Sequence, residues 1–244
     1  AQLSKARRES QDSLSKFLAS QDFLERKNVQ LWGKEAFEKA LKTGSDGDVL
    51  YRKRSFNDAL VLYEKALAKL AELESRIPEE LLINIELAKE AFSLGNSKEA
   101  QKYYELALSI DASSVIAKQG LDRAYVLNDV LMLVKEANRA LEEENLEQAK
   151  NLFLEALNLD PLNQESIDGN SATLQLIAAK KFIYAMSIGY QALEDSIPNK
   201  AISAFQEALK VKPKSSAAIS GLMQAQSLLI QQKIKAQLNN AALQ

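Results

Sequence analysis

Three features of the sequence point to an all-α solenoid of alternating short and long helices. The first is composition: only 8 Gly and 4 Pro in 244 residues, with abundant Ala, Leu, Glu, Lys and Gln, favour helix nearly throughout. The second is a recurring helical face. Ala149, Phe153, Ala156, Pro161 and Gly169 follow one another at steps of four, three, five and eight residues. The same steps recur at Ala100, Tyr104, Ala107, Ala112 and Gly120, and at Ala201, Phe205, Ala208, Pro213 and Gly221. Repetition at fixed spacing signals stacked units, each of which buries its apolar face only against its neighbours. The third feature is length. Residues 113–144, 163–194 and 215–244 contain no proline, and each reads as a single helix of about 30 residues, roughly 45 Å long.

Residues 1–43 read as one long helix, so the segment 1–44 stands apart from a repeat domain at 45–244. It contains no proline, and Gly33 is its only interior glycine. The heptad frame through Leu3, Ser10, Phe17, Leu24 and Leu31 is mostly filled, but the companion frame (Arg7, Leu14, Gln21, Asn28) is too polar for a strong coiled coil. The expectation is that residues 23–41 pack on the array, with Trp32 and Phe37 inward, while the first ten residues fray. A stalk or dimerisation segment is the alternative. Residues 43–48, TGSDGD, read as the clearest turn in the chain, with Asp48 or Ser55 capping the next helix. Calcium-loop spacing is absent there.

Residues 56–76 carry a looser copy of the face at Ala59, Tyr63 and Ala66. Ile77-Pro78 is expected to end that helix, since the residue before proline is biased away from helix. Residues 79–94 then pair with 97–110 across a Gly95-Asn96 corner, with Leu87, Ala88 and Ala91 against Ala100, Tyr104 and Ala107. The middles of the long helices (Tyr125 to Val134; Leu174, Leu176, Ile177, Phe182, Ile183) are apolar nearly all round. They are expected to be buried on several sides as an added layer, with Gly120, Gly169 and Gly221 as close approaches between long helices. The C-terminal strip Ile230, Ile234, Leu238, Ala241 and Ala242 also stands at helical spacing.

The Ala-aromatic-Ala-Pro face resembles the second helix of a tetratricopeptide repeat. In that family a small residue lies twelve before the leading alanine and a large one nine before; here these positions hold Ala88, Ala137 and Gly189, then Ala91, Ala140 and Ala192. The leading alanines 59, 100, 149 and 201 are separated by 41, 49 and 52 residues, longer than the family period of about 34. The long helices hold the surplus. The resemblance implies a right-handed helical-repeat solenoid that binds protein or peptide partners on the face lined by its first helices. By family position that face holds Leu82, Ile85, Lys89 and Phe92; Leu131, Val134, Asn138 and Leu141; and Ile183, Met186, Tyr190 and Leu193. The candidate partner-binding residues are Ile85, Lys89, Phe92, Val134, Asn138, Met186 and Tyr190. Only Lys89 and Asn138 have the character of a carboxylate clamp. The rest are mostly apolar, and the face reads as a groove or, preferably, as core covered by the extra helical length.

Chemistry is scarce. With no His and no Cys, thiol and Ser-His nucleophiles and the usual zinc ligands are excluded, and no glycine-rich phosphate loop occurs. Glu142, Glu143, Glu144 and Glu147 read as a solvated acidic corner. No catalytic residue, metal or cofactor is expected, and neither nucleic-acid binding nor a strong electrostatic partner follows from a net charge of −2. No run of 18 apolar residues occurs, so no insertion into a membrane is expected. The chain opens on Ala1 without a signal peptide and reads as processed or as a piece of something longer. Its C-terminal strip is expected to continue into a further repeat or to self-associate weakly. A bacterial periplasmic or membrane-anchored placement is favoured over a cytoplasmic one. The leading function is an interaction scaffold or adaptor. A protein self-assembling through its N-terminal and long C-terminal helices is the alternative, and a regulatory domain of an enzyme the third.

Overall fold

The computed structural model describes residues 2–242, with side chains described to residue 241. Among these residues there are ten helices and no strand: α1 (Gln2–Arg26), α2 (Val29–Trp32), α3 (Lys34–Arg52), α4 (Phe56–Ser93), α5 (Ser97–Ile110), α6 (Val115–Glu142), α7 (Leu146–Leu159), α8 (Gln164–Glu194), α9 (Pro198–Val211) and α10 (Ser216–Ala242). The fold is an all-α helical-repeat solenoid. Two compact units divide it, Ala1–Asp129 and Val130–Gln244. The three long helices expected at 113–144, 163–194 and 215 onward are α6, α8 and α10.

The N-terminal segment is three helices and not one. Asn28 takes φ 51° and ψ 40°, a left-handed conformation that Asn tolerates better than most residues. The Trp32 Nε1–H donates to the Lys27 carbonyl at 2.9 Å and ties the break together. Both α1 and α3 pack on α4, and Phe17, Leu24, Val29, Phe37, Ala40, Ala66, Leu70 and Leu73 form their shared core, with Trp32 packed against it. Ala6 and Ser10 are buried too, so the first turns are packed and not frayed.

TGSDGD is also helical, inside α3. A Cβ on Gly44 would lie 2.6 Å from the Phe17 ring, and one on Gly47 2.9 Å from the Tyr63 ring. These glycines each cost the helix about 1 kcal/mol relative to alanine, but they let two aromatic rings reach the backbone. Pro78 likewise lies within α4 and does not end it. A proline inside a helix costs about 3 kcal/mol. The helix survives because its two halves are anchored separately: Leu70 and Leu73 in the first core, and Ile85, Ala88 and Ala91 in the next. Each fully buried aliphatic side chain contributes about 1.5–3 kcal/mol, which together exceeds the loss.

Four corners share one construction. Arg54, Gly95, Glu144 and Ser196 all have positive φ, at 61°, 75°, 58° and 56°. The next residue's N–H then donates back into the preceding helix: Ser55 to the Leu50 carbonyl at 3.1 Å, Asn96 to Ala91, Asn145 to Ala140 and Ile197 to Ala192, each at 2.8 Å. This left-handed closure satisfies carbonyls that the helix end leaves open. In every case the acceptor lies nine residues, and the left-handed residue five, before the leading alanine at 59, 100, 149 or 201. The looser copy is therefore a full repeat, with α3 as its first helix and Gly47 in the small position twelve before Ala59.

The recurring face is the core of each repeat. Ala59, Tyr63 and Ala66, Ala149, Phe153 and Ala156, and Ala201, Phe205 and Ala208 are completely buried, and Ala100, Tyr104 and Ala107 nearly so. Helix α1 presents the same spacing with serines, at Ser13, Phe17 and Ser20, all three buried. Gly120, Gly169 and Gly221 are close-approach points, but between a long helix and the ring of the short helix before it. A Cβ there would meet Tyr104, Phe153 and Phe205 at 2.2, 2.3 and 2.5 Å. Leu87, expected inward, is exposed.

Candidate functional site

The matter left over after the cores are built is exposed apolar surface on the long helices. The expected burial of their middles does not hold: Tyr125, Leu131 and Met132 on α6, and Leu174, Leu176, Ile183 and Tyr184 on α8, are exposed, Tyr184 at 70%. The physical reason is length. A following helix of 14 residues covers only part of a helix of 28 or 31 residues. On α10, Ile230, Ile234 and Leu238 are exposed as well; Ala242, the last member of that strip, lies outside the described side chains.

The first-helix residues divide accordingly. On α4, Ile85 is buried in the core with Ala88 and Tyr104, whereas Leu82, Ile83 and Leu87 are exposed. The exposed ones line a shallow cleft of about 690 Å³ together with Glu86, Lys89 and Glu90. Lys89 Nζ pairs with Glu86 Oε1 at 2.8 Å, and that hydrogen bond holds its pKa above the ordinary value. Phe92 is half-buried, and the Arg123 guanidinium stands 4.8 Å from its ring centroid, a cation–π contact. Behind them burial pushes the Tyr104 hydroxyl pKa up. The cleft thus combines aliphatic side chains with an ammonium and two carboxylates, while the guanidinium-capped ring packs on the core outside its lining.

In the second unit, Val134 and Met186 are buried, while Asn138 and Tyr190 are exposed. Asn138 Nδ2 donates to Glu165 Oε1 at 3.2 Å. Tyr190 meets Phe205 edge-on at 5.2 Å between centroids, and Phe182 carries Lys212 Nζ at 4.6 Å. The preference for a covered core is therefore corrected: Ile85, Val134 and Met186 are core, but Lys89, Asn138 and Tyr190 are open to solvent. The spacing of first-helix positions finds both kinds, because buried and exposed neighbours alternate along one helix.

The acidic corner is neutralised locally. Glu143 pairs with Arg139 at 2.9 Å, Glu144 with Lys180 at 2.8 Å, and Glu147 with Lys150. The Lys180 hydrogen bond lowers the Glu144 pKa, and the Lys150 hydrogen bond lowers that of Glu147. Among the described residues no group of carboxylates is arranged to hold a metal ion, and no helix is long and apolar enough to cross a membrane. A buried tyrosine is the most perturbed group: the Tyr63 hydroxyl donates to Asp48 Oδ1 at 2.6 Å, and burial first, then Asp48, raises its pKa strongly. This pair lies between the two helices of the first repeat, where it fixes packing.

Residues 83–114 match the family described as tetratricopeptide repeat. The match spans the end of α4, all of α5 and the turn after it, with Ile85, Lys89 and Phe92 inside it. No curated protein matches the chain. Repeats of this family form protein–protein interaction modules and are typically non-catalytic. Four equivalent corners and four buried small-aromatic-small faces recur in the all-helical fold around the matched segment, and residues 83–114 are the tetratricopeptide repeat among them.

Proposed function

We propose that this protein is a scaffold or adaptor without catalysis of its own, and that it holds a protein or peptide partner on the first-helix surface of its matched repeat. The supporting observation is the cleft of about 690 Å³ on α4, where Leu82, Ile83 and Leu87 stand exposed beside Lys89. Solvent-exposed aliphatic groups arranged along one helix suit the apolar face of a partner segment. Lys89, with Glu86 and Glu90, supplies polar orientation beside them, and Phe92 lies on the same helix. Asn138 and Tyr190 offer an exposed amide and phenol on later first helices, while Ile85, Val134 and Met186 are buried on the same helices.

Affinity capture with the wild-type chain and with a Leu82→Asp, Lys89→Ala double variant tests this reading. Both side chains are solvent-exposed, so folding should be unchanged by circular dichroism. A partner captured by the wild type and lost by the variant supports the assignment; a partner retained equally by both contradicts it. Self-association is the second reading, favoured by the exposed strip Ile230, Ile234 and Leu238 on α10. Light scattering over a concentration series, with Ile234→Lys and Leu238→Lys together as control, separates the two.

A further inference from the structure

Two stretches of the sequence are basic and free of acid: Lys5, Arg7 and Arg8 near the start, and Arg52, Lys53 and Arg54 at the α3–α4 corner. The fold brings them together. Arg7, Arg52 and Arg54 line one cleft of about 530 Å³ with Leu3, Tyr51 and Phe56. Tyr51 and Phe56 are half-buried there and meet edge-on at 5.0 Å between centroids. A second hollow of about 460 Å³ shares Leu3, Arg54 and Phe56 with the first.

None of the three guanidiniums forms an ion pair or side-chain hydrogen bond among the described residues. The carboxylates nearby in sequence have other hydrogen-bond or ion-pair partners, and Asp58 is the one that lines the second hollow beside Arg54. Glu9 pairs with Lys5 at 3.8 Å, Asp58 accepts from Ser55 Oγ at 2.6 Å, and Asp48 accepts from Tyr63. A protein of net charge −2 thus gathers three arginines without ion-pair partners around an aromatic floor. Like charges held together raise the folded state's energy unless an anion offsets them.

We propose that this cleft binds an acidic segment of a partner protein, carboxylates on the arginines and one apolar or aromatic side chain against Tyr51 and Phe56. Guanidinium is the side-chain group best matched to carboxylate, because its planar fork donates two parallel hydrogen bonds. The aromatic floor takes an apolar side chain and keeps the arginine stems dry. The size fits one side chain and its flanking residues. A long polyanion is disfavoured by the acidic remainder of the molecule. A second copy of this chain is a poor occupant, since its acidic corner at Glu143, Glu144 and Glu147 is already paired with Arg139, Lys180 and Lys150.

The test is fluorescence polarisation with a labelled peptide of about twelve residues, Asp and Glu flanking a central Phe. The expected result is saturable binding that weakens several-fold between about 0.05 and 0.3 M salt. The Arg7→Glu, Arg54→Glu double variant should lose about tenfold or more in affinity. Both residues are exposed, and Glu144 already occupies the corner position equivalent to Arg54, so the variant should melt as the wild type does. Tyr51→Ala should weaken the Phe peptide more than an all-acidic one. Leu82→Asp with Lys89→Ala should leave this binding unchanged, which keeps the two surfaces distinguishable. Absence of saturable binding, binding indifferent to charge reversal, or tighter binding to single-stranded DNA or anionic vesicles in the same assay would overturn the proposal.

Discussion

Gly169→Ala is the sharpest test of how the repeats close. A methyl group at Gly169 would stand 2.3 Å from Phe153 Cζ and 2.4 Å from Cε1, where carbon atoms in contact prefer about 3.5–4.0 Å. Phe153 is completely buried, so its ring cannot swing into solvent, and α7 or α8 must move by about an ångström. Overpacking of this kind costs about 1–3 kcal/mol. Alanine recovers about 1 kcal/mol over glycine through helix propensity, so the net expectation is destabilisation by about 0–2 kcal/mol. For a chain of this length that lowers the melting temperature by roughly 2–4 °C per kcal/mol. The readout is urea denaturation followed by far-ultraviolet circular dichroism, because Trp32 lies in the other unit. Phe153→Leu shortens the offending ring. A double-mutant cycle should therefore give coupling between residues 153 and 169 of about 0.5–2 kcal/mol. A Gly169→Ala protein more stable than wild type, or an additive cycle, would refute the ring-on-backbone contact and the repeat register with it.

Three further outcomes follow from the same geometry. Ala149 is completely buried, so Ala149→Leu should overpack its face and cost about 1–3 kcal/mol by denaturant titration; unchanged stability would contradict the register. Ser196 sits at φ 56°, and Ser196→Gly should relieve that conformation and stabilise by about 0.5–1 kcal/mol, the gain being partly offset by a freer unfolded chain. Tyr63→Phe removes the hydrogen bond to Asp48 and should cost about 1–2 kcal/mol at neutral pH. The Tyr63 pKa is raised above its ordinary 10.0, so its contribution is fully present below pH 10 and lost as the pH climbs toward the raised value. Wild-type and Tyr63→Phe stabilities should therefore converge only in alkali, and equal slopes against pH above 10 would contradict the assignment.

What could be read from the chain before folding was whatever depends on local geometry. Helical faces repeat every three to four residues, so Ala100, Tyr104 and Ala107 and their counterparts disclosed both the repeat and its buried side. The long helices were legible because nothing in them breaks a helix. Two punctuation signals misled, for the same reason. Gly44, Gly47 and Pro78 carry local penalties of about 1 to 3 kcal/mol, which win in an isolated segment. They lose once Phe17 and Tyr63 lie against the glycines and both ends of α4 are anchored in cores. The offset of twelve residues from Gly47 to Ala59 was present all along, but its meaning needed the corner at Arg54 to be seen. The exposure of the long helices depended on how far a short neighbour reaches, and the basic cleft on α1 meeting the α3–α4 corner. Neither is a property of any window of sequence. Burial and charge neighbourhood are set by contacts between residues far apart in the chain, such as Arg7 and Arg54, and only the tertiary structure decides them.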